Sequence, residues 1–256
     1  MKITILGCGT SFGVPMIACK CPVCQSSDPR NKRLRSSILV SWNDKNVLVD
    51  TATDLRAQAI ANGIEHIDAV VYTHPHAEHI HGIDELRRFN WLQGASIPCY
   101  GSPETLKVLR DNFKYIFVLQ GKPGWQPNLT TNEIEESFDL FGMKIIPVEV
   151  MHGDLPIFGY RFGDFAYVTD FSEIPEESMD LLKGLKVMVL EALRTEPHPS
   201  HVTISQAMQY VELLKPDRAI FTHMAHGFDY ETVMKEMPSG VELAYDGMVI
   251  EIQEKK

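Results

Sequence analysis

Four histidines and a glutamate crowd into Thr73-His74-Pro75-His76-Ala77-Glu78-His79-Ile80-His81-Gly82, directly after the apolar run Ile67-Asp68-Ala69-Val70-Val71-Tyr72. The run reads as a buried strand, so the fold must carry a dense set of imidazoles on the loop leaving its C-terminal end. Ligand sites of α/β folds lie at such ends. Neutral imidazoles with a carboxylate form a borderline-hard donor set suited to Zn²⁺, Mn²⁺ or Fe. Core packing gives no reason for the H-x-H-x-E-H spacing. A polar loop with exposed histidines is therefore the weaker reading, and the chain is expected to bind metal in order to do chemistry.

The same arrangement recurs along the sequence. His152 follows Pro147-Val148-Glu149-Val150-Met151, Asp170 follows Ala166-Tyr167-Val168-Thr169, and His223 follows Ala219-Ile220-Phe221-Thr222. One histidine at a strand end is commonly structural; three such residues beside the 74–79 cluster point to ligands converging from several strands, as a two-metal hydrolase requires. Asp50, ending Val47-Leu48-Val49-Asp50, has two open readings. It either accepts a hydrogen bond from a ligand histidine's second ring nitrogen or caps a helix over Asp54–Ala61. Phosphodiester hydrolysis needs an acid for the leaving alkoxide, and a histidine of ordinary pKa near ~6.5 suits that task. His201, in Pro199-Ser200-His201-Val202-Thr203, is the candidate, against the alternative of a surface residue ahead of a helix. His66, His81 and His198 read as surface or supporting residues.

Segment 73–82 resembles the H-x-H-x-D-H motif of the metallo-β-lactamase superfamily. Gly7-Cys8-Gly9-Thr10-Ser11-Phe12-Gly13-Val14-Pro15, Cys19-x-Cys21-x-x-Cys24 and Thr222-His223-Met224-Ala225-His226-Gly227-Phe228-Asp229 are similar to the branch containing phosphoribosyl cyclic phosphate phosphodiesterases of the carbon–phosphorus lyase pathway. These landmarks span nearly the whole chain. The resemblance implies a four-layer αββα sandwich, two mixed sheets flanked by helices, and two divalent catalytic ions. It places His74, His76 and His152 on one ion and Glu78, His79 and His223 on the other, with Asp170 between them. It also implies that Glu191, matching an acid–alanine element of tRNA-end-processing relatives, orients His201. Glu78 departs from the family, which carries aspartate there.

Cys19, Cys21 and Cys24 offer three soft ligands, and structural zinc wants a fourth nitrogen or sulfur. An iron–sulfur cluster would need a fourth cysteine; three reduced, metal-free thiols are the other alternative. The resemblance supplies His226 as the fourth zinc ligand, stapling a loop at about 15–35 to the C-terminal region. Cys8 and Cys99 sit in strand-like contexts as small buried hydrophobes.

With 256 residues, 44% of them hydrophobic, the chain can bury a substantial core, and a single domain over 1–256 is expected. A net charge of −10 argues against broad nucleic-acid binding; Arg30, Lys32, Arg33 and Arg35 form the one cationic cluster. No apolar run approaches the ~18 residues needed to span a bilayer, and Lys2 to Leu6 reads as a first strand because it is too short for a signal h-region. Five cysteines with no export signal suit metal binding in a reducing compartment, hence the cytoplasm.

Strand-like runs alternate with helical periodicity, and hairpins are expected around Asn43-Asp44-Lys45 and Gly142. Helices are expected over Asp54–Ala61, Ile83–Asn90, Pro103–Tyr115, Pro175–Leu182, Ser205–Leu214 and Tyr230–Met237. Phe117 to Asn132, without periodicity, is expected to be one long loop. The expected activity is a dinuclear phosphodiesterase on a small cyclic or diester phosphate, with a homodimer left open. The competing readings are a tRNA-end-processing endonuclease and a metal-binding scaffold that no longer turns over substrate.

Overall fold

The structure, a computed structural model, describes residues 1–118 and 125–253. In chain order the strands are β1 (Lys2–Gly7), β2 (Ser37–Trp42), β3 (Lys45–Val49), β4 (Ala69–Val71), β5 (Ile97–Gly101), β6 (Leu129–Glu133), β7 (Phe138–Leu140), β8 (Met143–His152), β9 (Leu155–Phe162), β10 (Phe165–Val168), β11 (Val187–Glu191), β12 (Arg218–Thr222), β13 (Val241–Leu243) and β14 (Val249–Glu251). They form two seven-stranded sheets, ordered β14-β1-β2-β3-β4-β5-β6 and β13-β12-β11-β10-β9-β8-β7. Each sheet runs through three antiparallel pairings and then three parallel ones. The second half of the chain thus repeats the topology of the first, which no local sequence similarity reveals.

Period-two alternation sorts the first sheet's side chains. Ile3, Ile5, Val40, Val47, Val49 and Val71 face the core between the sheets, while Leu6, Leu39, Leu48, Val70 and Tyr72 meet the helices outside. β10 and β11 are buried on both faces, hence their unbroken runs FAYV and VMVLE. Both expected hairpins form. Asn43 and Asp44, then Phe141 and Gly142, take positive φ as two-residue turns of right-handed twist require. The expected αββα sandwich is the observed architecture.

Helices form at Leu55–Ala61, Leu86–Gln93, Pro103–Asn112, Ile204–Leu214 and Tyr230–Met234, among shorter ones. Ser102 caps by accepting from the Thr105 N–H, and Thr203 forms a full capping box with Gln206. The expected loop from Phe117 to Asn132 is overturned at its end, where Leu129–Glu133 pairs parallel with β5 from Ile97↔Leu129 to Gly101↔Glu133. That edge strand, LTTNE, has no buried residue and so carries no apolar alternation to read. Gly121, Pro123 and Gly124 of the same segment lie outside the described residues.

Met1 and Ile252 meet: the Met1 amino group donates to the Ile252 carbonyl (3.0 Å) and the Ile252 N–H to the Met1 carbonyl (2.9 Å). No helix among the described residues is long and apolar enough to cross a membrane.

Candidate metal centre

The site lies where β3, β4, β8, β10, β11 and β12 end. Asp50, Asp170 and His223, each just beyond its strand, all take left-handed backbone angles (φ 63°, 58° and 55°). Aspartate and histidine tolerate that region better than most residues, and such conformations persist where surrounding contacts over-determine them. Here the contacts do so. Asp50 Oδ1 accepts from the Thr73 N–H (2.8 Å), and its Oδ2 accepts from the Thr73 hydroxyl (2.8 Å) and lies 2.7 Å from His79 Nδ1. Asp50 is therefore the histidine's partner rather than a helix cap. Asp54 precedes the helix instead, and its carboxylate pairs with Arg35 at 2.9 Å.

With Nδ1–H of His79 directed at Asp50, its Nε2 faces Asp170 Oδ2 at 3.3 Å. Both atoms are buried and neither has a hydrogen-bond partner. Two orphaned polar atoms facing one another in the interior are costly unless a further group fills the gap. The geometry brings three ligand sets together: His74, His76 and His152; His74, His79 and Asp170; and Asp170, His201 and His223. Within each set the ligand atoms lie within 4.8 Å of one another. Asp170 Oδ1 lies 2.8 Å from His223 Nδ1 and accepts from the Thr169 hydroxyl (2.6 Å). His152 Nδ1 donates to the Ser200 carbonyl (2.9 Å), leaving Nε2 free.

Electrostatics follow from this packing. Burial alone would raise Asp170, yet the imidazoles of His223 and His79 hold it well below the usual carboxylate range. Burial, aided by His79, pushes His74 well down, and burial brings His152 down to about 4. Both imidazoles are thus neutral near pH 7, as ligation requires.

Glu78 departs from its expected place on the second ion, since its carboxylate belongs to none of the three sets. It sits half-buried in the first turn of the helix Ala77–Ile80, with its charge acting on His201. His201 is brought to Glu191: its Nδ1 lies 2.5 Å from Glu191 Oε1, while Oε2 accepts from the Phe171 N–H (2.6 Å). His201 is largely buried, which lowers its pKa, so it is not a surface residue. Burial conversely raises Glu191.

Cys19 and Cys21 Sγ each lie 3.3 Å from His226 Nδ1, and Cys24 completes a set of four ligand atoms within 4.8 Å of one another. Cys8 is buried elsewhere against Asp246, and Cys99 lies in β5, so neither supplies a fourth thiol. The Cys24 N–H and His226 bring the Cys21 thiol down to about 6, whereas burial pushes Cys24 up to about 11. The cationic cluster beside this loop is consumed internally. Arg30 pairs with Asp28, Arg35 with Asp54, and Lys32 donates to the Cys24 carbonyl. Arg33, 1% exposed, donates to the carbonyls of Ala225 and Phe228. Sequence reasoning missed that structural role because nothing marks one of the four cationic residues as buried.

A family model described as the beta-lactamase superfamily domain matches residues 45–224. A protein of Porphyromonas gingivalis described as an octanoyltransferase is 34% identical over 260 residues, covering 100% of this chain and 52% of that protein. The chain thus spans about half the length of that relative. Among solved structures, a diphosphatase from the PhnP family superposes with a TM-score of 0.92 at 44% identity, covering 98% of both chains. Human tRNase Z, short form, shares the fold with a TM-score of 0.74 at 18% identity, over 99% of this chain and 100% of that one. The chain belongs to the β-lactamase superfamily, in a branch that resembles the PhnP family.

Proposed function

We propose that the protein is a dinuclear phosphodiesterase acting on a small cyclic or diester phosphate, with ribosyl cyclic phosphates the class its resemblance favours. The observation that carries this reading is a chain of three ligand sets, linked through His74 and Asp170, with His79 Nε2 and Asp170 Oδ2 buried, unpartnered and 3.3 Å apart. Imidazole and carboxylate donors fit Zn²⁺, Mn²⁺ or Fe. His74, His76 and His152 would hold one ion and His79 and His223 the other, with Asp170 between them and Glu78 reaching the second only if its side chain turns inward. When bound, the ions supply Lewis-acid activation of water and neutralise charge on the phosphoryl oxygens. Asp50 and the Ser200 carbonyl fix the tautomers of His79 and His152. Glu191 holds His201 so that its Nε2 can hand a proton to the departing oxygen.

The four-donor set of Cys19, Cys21, Cys24 and His226 fits a closed structural zinc. Its reduced thiols suit the cytoplasm, and a homodimer is consistent with this reading. A small phosphodiester, rather than nucleic acid or a membrane, is the proposed partner, since the basic cluster is spent on internal contacts.

Profiling bis(p-nitrophenyl) phosphate, cyclic nucleotides, ribosyl 1,2-cyclic phosphates and precursor tRNA tests the proposal, with metal content measured on the same preparation. Turnover of small diesters with two catalytic ions and one further zinc is expected. Cleavage of precursor tRNA alone would reassign the protein as an RNA-processing enzyme. A fully loaded protein that turns over nothing would make it a scaffold.

A further inference from the structure

At three strand ends a threonine stands directly before a candidate ligand: Thr73 before His74, Thr169 before Asp170 and Thr222 before His223. Their hydroxyls are placed differently. That of Thr169 donates to Asp170 Oδ1 (2.6 Å). That of Thr222 is buried with no hydrogen-bond partner among the described residues. That of Thr73 lies between two residues, its oxygen 2.8 Å from Asp50 Oδ2 and 3.0 Å from His74 Nδ1. Thr73, His74, Asp50 and His79 are all fully buried, so bulk water does not compete for these contacts.

A hydroxyl carries one proton, and that fixes the direction of each bond. Asp50 Oδ2 also meets His79 Nδ1 at 2.7 Å while Oδ1 takes the Thr73 N–H, and a carboxylate with donors on both oxygens can only accept. The Thr73 proton is therefore committed to Asp50, and its oxygen offers His74 only a lone pair. His74 must then carry its proton on Nδ1, which leaves Nε2 bare. That bare nitrogen points into the candidate site, 3.0 Å from His76 Nδ1 and 3.8 Å from Asp170 Oδ2. The backbone of Thr73 is held without help from the hydroxyl: its N–H donates to Asp50 Oδ1 (2.8 Å), and its carbonyl accepts from the Phe158 N–H (3.1 Å).

We infer that Thr73 is a positioning residue whose hydroxyl sets the tautomer of His74 and joins the two ion sites through Asp50. His74 Nδ1–H donates to Thr73 Oγ1, the Thr73 hydroxyl donates to Asp50 Oδ2, and the same oxygen accepts from His79 Nδ1–H. One buried carboxylate thereby orients a ligand of each ion. The inference rests on the two-ion part of the reading above and not on its substrate.

Mn²⁺ is the probe, because it suits a carboxylate-bearing site better than a cluster of thiols. Its binding to protein freed of catalytic ions by mild chelation is followed by loss of the aqueous Mn²⁺ signal in electron paramagnetic resonance. Thr73→Val keeps the shape and removes the hydroxyl. It is expected to weaken the tighter Mn²⁺ ion by about 10–100-fold, the loss typical when the partner behind a ligating histidine is removed. Thr73→Ser restores the hydroxyl and should bind as the wild type does. Equal Mn²⁺ affinity in Thr73→Val and wild type, or a Thr73→Ser as weak as Thr73→Val, would overturn the inference and leave Thr73 a packing role seen only in the thermal midpoint. A second measurement needs neither a Thr73 variant nor a bound ion. In metal-free wild type labelled with ¹⁵N-histidine, His74 should show the Nδ1–H tautomer in nitrogen–proton correlation spectra, its signals assigned by their loss in His74→Gln; an Nε2–H tautomer would overturn the inference. A wild type that takes up no Mn²⁺ at the centre would instead count against the two-ion reading, and the tautomer would then decide the role of Thr73.

Discussion

At the scale of single residues, the site separates groups that bear on the core from groups that do not. His76 is exposed and Asp170 fully buried. His76→Ala should abolish turnover with an unchanged thermal midpoint. Asp170→Ala should abolish it and also cost about 1–3 kcal/mol, because Thr169 and His223 lose a buried acceptor. Near-wild-type activity in either variant would refute the site assignment. For His201, comparing leaving groups is the informative measurement. His201→Ala should slow alkyl diesters by about 10²–10⁴-fold while barely affecting nitrophenyl esters, which depart without a proton; an equal loss on both would leave His201 a positioning role.

Glu78 calls for a metal titration. With its carboxylate outside the clusters, the second ion is expected to bind more weakly than the first. Glu78→Asp should tighten it and raise turnover, since metal–oxygen bonds tolerate only about ±0.2 Å around their optimum. Two equally tight ions, unchanged by the substitution, would mean that the loop accommodates the longer side chain.

At the scale of elements, what was legible tracks what each segment buries. His74, His76, His152, Asp170 and His223 stood out because they follow short β-like runs, each of which reads as a strand. The hairpin at Asn43-Asp44 was legible because its residues tolerate positive φ. β6 and β13 escaped because edge strands of three to five residues, partly exposed, leave too short a pattern. The positive φ at Asp50, Asp170 and His223 had no sequence signal, since aspartate and histidine occur in every backbone region; only the packing around them sets that angle. Neither reading of Asp50 could be preferred until Thr73 and His79 were found on its two oxygens. The cysteine loop is the element most exposed to a test. Cys21→Ser/Cys24→Ser should lose one tightly held zinc that survives mild chelation in the wild type, and should lower the thermal midpoint, because metal binding to such loops is coupled to folding. A double variant retaining that zinc would exclude these thiols as ligands.

At the scale of the whole molecule, the doubled topology was invisible in the sequence because the two halves share pairing directions rather than side chains. It nevertheless places Asp50 after β3 and Asp170 after β10, at corresponding strand ends facing one another across the site. The mutual hydrogen bonds of Met1 and Ile252 bear on something else: which covalent links of the backbone the fold needs. Met1 and Ile252 belong to one edge of one sheet, so a short glycine-rich tether between these two residues could close the segment 1–252 into a ring without stretching either strand. The ring could then be cut at the β9–β10 turn, where Gly163 has positive φ and open space around it. Such a circular permutant should fold, take up the same number of ions and keep diesterase turnover within about an order of magnitude, because folded domains with adjacent termini generally tolerate permutation at exposed turns. The architecture would then depend on which strands lie side by side, and hardly at all on where the polypeptide starts.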